Sequence, residues 1–195
     1  NIYNSKIKEV LAKAESYAGE NHAFVFDIKT LIESGKISAD NETGIYVDPR
    51  TNRDMRCDVI NAVYKEQRYE VSITESSTCY SLEEFENLYG IVELVLENEA
   101  GEEIESIEGT DWLQENKVYV RYRVKEAYQE YENSIQSIFW YGEREQSCSK
   151  ENLSECLRYE VSADLIKNSV VNLRISFEVA GVEIITQNQK NVLLD

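Results

Sequence analysis

Asn1-Ile2-Tyr3-Asn4-Ser5-Lys6-Ile7-Lys8-Glu9-Val10-Leu11-Ala12-Lys13-Ala14-Glu15-Ser16-Tyr17-Ala18-Gly19 is the stretch whose reading decides the fold. Ile2, Tyr3, Ile7, Val10, Leu11, Ala14, Tyr17 and Ala18 recur at three- and four-residue intervals, which makes one apolar stripe along a helix. Lys6, Lys8, Glu9, Lys13, Glu15 and Ser16 take the other side, and Glu9 with Lys13 forms a favourable i,i+4 pair. Gly19 is the expected stop. A helix apolar on one side only must lie on something, so Ile7, Val10, Leu11, Ala14 and Ala18 are the expected packing residues. The pattern opens without Met and in mid-stride, as expected of a chain from which an N-terminal segment has been removed.

Working outward, Asp27 fits an N-cap, because its carboxylate can accept the free amides of a first helical turn. Phe26 and Leu31 then stand at the two positions of a hydrophobic staple, and Gly35 closes a short helix over Ile28–Ser34. The polar loop Ile37–Gly44 leads to Asp48-Pro49-Arg50-Thr51-Asn52, a tight corner holding the only proline of the chain. Cys57–Tyr64 and Tyr69–Thr74 read as a hairpin across Lys65-Glu66-Gln67-Arg68. Cys57 and Cys79 fall near opposite positions at its open end, within bridging reach.

The order of parts is an amphipathic helix, then Phe26-Asp27-Ile28-Lys29-Thr30-Leu31-Ile32-Glu33-Ser34-Gly35-Lys36-Ile37, then Asp48-Pro49-Arg50-Thr51-Asn52, then a strand pair. Over residues 1–80 this resembles the globular part of a type IV pilin or pseudopilin of a Gram-positive, clostridial-type bacterium. The resemblance implies an antiparallel sheet laid on the helix, with the family's hydrophobic N-terminal half of the helix missing. It further implies a pilus or fimbrium at the bacterial cell surface, membrane-anchored before assembly. Its partners would be other pilin subunits, joined through that missing half.

Beyond Tyr80 the pattern changes. Leu82, Phe85, Leu88 and Tyr89 suit a short helix among acids. Then Val92–Glu97, Val118–Val124 and Val171–Val179 alternate apolar and polar residues, with further β runs at Ile135–Tyr141, Cys156–Ser162, Val182–Thr186 and Asn191–Leu194. Strict alternation means one face buried and one wet. Around seven short strands fit an immunoglobulin-like sandwich, and Trp112–Val120 resembles the opening of a bacterial repeat of that kind. A second pilin-like lobe is the alternative. The fold class expected is therefore α+β: a helix-plus-sheet domain over residues 1–80 and an acidic all-β lobe over residues 81–195.

The chain has 20 Lys and Arg against 37 Asp and Glu, a net charge of −17. The imbalance is concentrated beyond residue 80, where 24 acids face ten bases. Such a surface favours solubility and excludes nucleic acid as an expected partner.

No catalytic constellation stands out, and no enzyme is expected. His22, the single histidine, has no Ser- or Cys-centred motif beside it. The acids form no calcium loop, and the eight glycines are scattered singly rather than gathered into a phosphate-cradling loop. Cys57, Cys79, Cys148 and Cys156 read as two disulfides of a secreted protein. Zinc bound by the four thiolates is the alternative to disulfides, although their spacing matches no tight knuckle; otherwise no cofactor is expected. Tyr128, Tyr131, Phe139, Trp140 and Tyr141 are either sheet core or an exposed recognition surface. The functions expected are a fibre subunit whose C-terminal lobe is displayed for adhesion, or a membrane-anchored adhesin whose lobe binds a host or matrix ligand.

Overall fold

A computed structural model describes residues 1–107, 109–142, 144–162 and 170–192. The fold is α+β, with an N-terminal helix and three sheets, and every strand pairing registered between them is antiparallel. The chain divides into two compact units. The first holds Asn1–Leu88 together with Glu178–Ile185, and the second holds Tyr89–Phe177 with the chain from Thr186 onward. The boundary expected after Tyr80 thus falls after Leu88. The reason is α3 (Leu82–Leu88), which buries Phe85 and Leu88 and packs on β1 (Val25–Asp27) of the first unit.

In the first unit α1 runs Ile2–Asn21 and does not stop at Gly19. A glycine in a helix interior costs only about 1 kcal/mol, and side-chain contacts on either side of it offset that. Tyr17 packs on Phe26 with ring centroids 4.8 Å apart, Lys36 pairs with Glu20 at 2.7 Å, and Asn21 bonds back to the Tyr17 carbonyl. The true end is His22, which adopts the left-handed conformation at φ 52° and returns its amide to Ala18.

Val10, Ala14 and Ala18 are fully buried in one cluster with Phe26, Ile28, Leu31, Ile60 and Ala62. Ile60 and Ala62 lie on β2 (Val59–Lys65), the central strand between β1 and β3 (Arg68–Thr74). Asp27 caps α2 (Ile28–Glu33), accepting from the Thr30 amide at 2.8 Å and from its hydroxyl at 2.7 Å. The β2–β3 turn is just Glu66-Gln67, both at positive φ, which is the geometry of a tight two-residue hairpin.

Because side chains alternate along a strand, Asn61 points to the face of β2 opposite Ile60 and Ala62. Its carboxamide grips the backbone of β10 (Val182–Asn191), donating to the Glu183 carbonyl and accepting from the Ile185 amide, each at 2.9 Å. The side chain thereby does what a neighbouring strand's peptide group would do, and it is wholly buried.

Among the described residues the second unit has two sheets. One has the order β4 (Val92–Asn98), β5 (Val118–Val124), β8 (Arg158–Val161); the other runs β10, β9 (Val170–Val179), β6 (Ile135–Tyr141), β7 (Gln146–Ser149). The ends of β9 and β10 that flank their turn (Glu178–Ile185) count with the first unit. A short helix, α4 (Thr110–Glu115), precedes β5. Trp140, fully buried on β6, meets Tyr122 of β5 and Tyr159 of β8 at centroid distances of 6.5 and 5.9 Å, so the inner faces share one core. Its indole N–H donates to the Cys156 carbonyl at 2.7 Å.

The strand expected from Cys156 begins only at Arg158, because Leu153–Cys156 is a 3-10 turn. The strand expected at Val182–Thr186 continues as β10 to Asn191; of the run expected at Asn191–Leu194, Val192 is outside the strand and the part beyond it lies outside the described residues. Ala180 and Gly181, both at positive φ, turn β9 into β10.

Candidate functional site

Among the described residues no group of His, Cys, Asp or Glu is gathered in a metal-binding arrangement. The four cysteines form two disulfides, Cys57–Cys79 and Cys148–Cys156. A sulfur held in a disulfide is not a thiolate, so the four-thiolate zinc alternative has no ligands in this arrangement. The first bridge closes the β2–β3 hairpin at its open end; the second staples β7 to the 3-10 turn that supplies the Trp140 acceptor.

The most organised polar cluster is the corner around Asp48. Asp48 is almost wholly buried and binds Arg50 through both oxygens, at 3.1 Å to Nε and 2.9 Å to Nη2. Those bonds hold its carboxyl below the usual range. The Arg50 guanidinium lies 3.4 Å from the centre of the Tyr3 ring, which ties the corner to the first turn of α1. Arg53 forks onto buried Asp58 at 2.7 and 2.8 Å, and the Glu75 carboxylate stands 2.6 Å from its Nε. Lys6 donates to Asp40 and to the Val47 carbonyl, both at 2.6 Å. Burial pushes the Tyr46 hydroxyl up to about 12.

Each of these charges is matched by an opposite one, and the cluster's work is to fasten helix to loop. A shallow groove of about 280 Å³ runs beside it, where Ile7 and Leu11 face Val71 and Ile73 of β3. Ile7 and Leu11 are therefore half-buried groove residues, whereas Val10, Ala14 and Ala18 are core.

Asp27 is the exception to matched charge. It is buried, and one carboxylate oxygen has no hydrogen-bond partner among the described residues. Burial raises its pKa, with the Thr30 hydrogen bonds working in the opposite direction.

In the second unit the outer face of β4-β5-β8 is an ion-pair lattice. Glu97, buried on β4, takes Arg158 at 3.1 Å and Arg121 at 3.8 Å; Arg123 binds Glu93 at 2.7 Å. Arg121 and Arg158 are direct cross-strand neighbours, a repulsive pairing that the shared carboxylate offsets.

The aromatic run divides by strand parity. Trp140 is core, and Tyr131 meets Phe177 edge-on at 6.3 Å from its 3-10 helix. Phe139 and Tyr141 are half-buried on the outer face of β10-β9-β6-β7. They stack on one another at 5.3 Å and 23°, with the Arg174 guanidinium 4.7 Å from each ring centre. Sequence reading did not single out Arg174; the signal available was an arginine at a polar position of an alternating strand.

Compared with protein-family models, curated proteins and solved structures, the chain matches none.

Proposed function

We propose that the chain is a structural subunit of a type IV pilus-like surface fibre, its first unit pilin-like and its second unit displayed for adhesion. One observation carries this reading: the helix α1 lies along a three-stranded antiparallel sheet and leads through the Asp27-capped turn to the Asp48 corner. In such a fibre the apolar half of the helix precedes Asn1 and packs among its copies. Ile2, three-quarters exposed, and the half-exposed Tyr3 then sit where that packing begins. None of the described helices is long and apolar enough to cross a membrane by itself, so anchorage before assembly would fall to the preceding segment.

For the displayed unit, strand order supports an immunoglobulin-like arrangement. Lettered A to G in chain order, its strands fall into A-B-E and G-F-C-D sheets. This is the two-sheet division of such sandwiches, with the fourth strand paired to C instead of E. The same order would suit a membrane-anchored adhesin that does not polymerise.

Two observations separate the readings. The gene should encode a short basic leader and roughly 20 apolar residues running into Asn1. Antibody against this chain should decorate filaments along their length in electron microscopy. Label confined to the cell envelope would sink the fibre and favour the adhesin.

A further inference from the structure

We propose that the outer face of the β10-β9-β6-β7 sheet is a binding site for a neutral carbohydrate chain. This deepens the display role proposed above and names its ligand class. Strand alternation builds the face. Ile138, Trp140, Leu173 and Ile175 are buried, so Ser137, Phe139, Tyr141, Asn172 and Arg174 point the other way. Register brings them together: Phe139 lies between Arg174 on β9 and Ser147 on β7, and Tyr141 lies opposite Asn172. Gln189 of β10, out of phase with buried Thr186, extends the same face.

Two features set this face apart. First, the only acids on its four strands are Glu178 and Glu183, both at the end where β9 turns into β10, in a chain with 37 Asp and Glu. Second, Arg174 has no carboxylate or carbonyl partner among the described residues, and its buried Nε has no acceptor. Arg121, Arg123 and Arg158 of the other sheet each have a carboxylate.

The ligand class follows from charge. With a net charge of −17 the molecule repels polyanions, and a single guanidinium does not reverse that field. The lining of the face is set by cross-strand register. What it offers is amides, hydroxyls, one guanidinium and two half-exposed rings. Those groups match the hydroxyls and apolar C–H faces of neutral sugars.

The test uses the full chain against immobilised neutral oligosaccharides built from glucose, galactose, mannose, xylose or N-acetylglucosamine, with sialylated and sulfated chains as the acidic arm. At least one neutral chain should be retained, with binding insensitive to about 0.5 M salt. Tyr141→Ala and Phe139→Ala should each weaken it about tenfold or more, and Arg174→Gln should weaken it measurably. Arg121→Ala, on the other sheet, should leave it unchanged. Circular dichroism checks each variant's fold, and Arg174→Gln decides the matter if an aromatic variant unfolds.

Retention of no neutral chain would overturn the proposal, as would preference for acidic chains lost in salt. Self-association abolished by Tyr141→Ala would overturn it too, since the face would then belong to a second copy. Binding by the isolated chain does not depend on filaments, so its failure and the failure of fibre labelling are read separately.

Discussion

The two outer faces of the second unit are built from the same kind of alternating strand and carry opposite electrostatics. On β4-β5-β8, Glu93 and Glu97 alternate with inward apolar residues so as to meet Arg123, Arg121 and Arg158. On β10-β9-β6-β7 the corresponding positions hold serine, amide and aromatic side chains around Arg174. The first face satisfies its own charges. The second leaves the Arg174 Nε without an acceptor among the described residues, and that is where the two faces differ.

The largest expected effect removes what the faces share. Trp140→Ala should destabilise the second unit by roughly 3–5 kcal/mol, because a fully buried ring between two sheets leaves a cavity that neither can fill. Replacing Cys148 and Cys156 together by serine should cost less, roughly 2.5 kcal/mol from the entropy of so short a closed loop. Denaturant titration of each checks both. If the disulfide variant lost as much as the tryptophan variant, the staple rather than the shared ring would be holding the faces back to back.

Much of this architecture is legible in residue order. Val118–Val124 and Ile135–Tyr141 are strands at the expected bounds, since strict alternation with β-branched and aromatic residues leaves little choice. The Asp27 cap is legible too, because an N-cap depends on neighbours three residues away. Gly19 misleads because local propensity is weak against the contacts of Tyr17, Glu20 and Asn21. Strand β7, four residues of Gln-Ser-Cys-Ser, has no pattern of its own and exists only through pairing with β6. Asn61 could not be read at all: a polar residue amid Val59, Ile60 and Ala62 looks like a defect until the β10 backbone is beside it. The candidate site was half legible. Its aromatic residues are contiguous in sequence, but Arg174 reaches them only through cross-strand register.

Smaller effects sharpen the contrast between matched and unmatched charge. Glu97→Gln should cost about 1 kcal/mol, a value discounted because Arg158 and Arg121 remain 31% and 45% exposed and water screens their repulsion. Within the first unit Asp27 gives the reverse case. Its folded pKa is raised, so the fold favours the protonated form, and stability is lost as pH rises through that raised value. Asp27→Asn keeps a good cap without the buried charge and should match or exceed the parent by about a few tenths of a kcal/mol at neutral pH. Asp48 runs the other way: its folded pKa is depressed, so its contribution is lost as pH falls below the ordinary aspartate range toward the folded value. Thermal melts from acid to neutral pH should show the Asn variant gaining relative stability as pH rises, and parallel curves would remove Asp27 from the account.

The smallest expected effect decides the comparison. Arg174→Gln should change stability by no more than about 0.5 kcal/mol, because the guanidinium has no acid to leave behind and the amide can still cover part of the two rings. A loss well above about 1 kcal/mol would mean that the guanidinium seals Phe139 and Tyr141 from water as packing, making this face as self-satisfied as the one behind it. A near-zero change in stability with a measurable change in ligand retention is the result packing alone does not produce, and it would separate a surface kept for a partner from one that is merely covered.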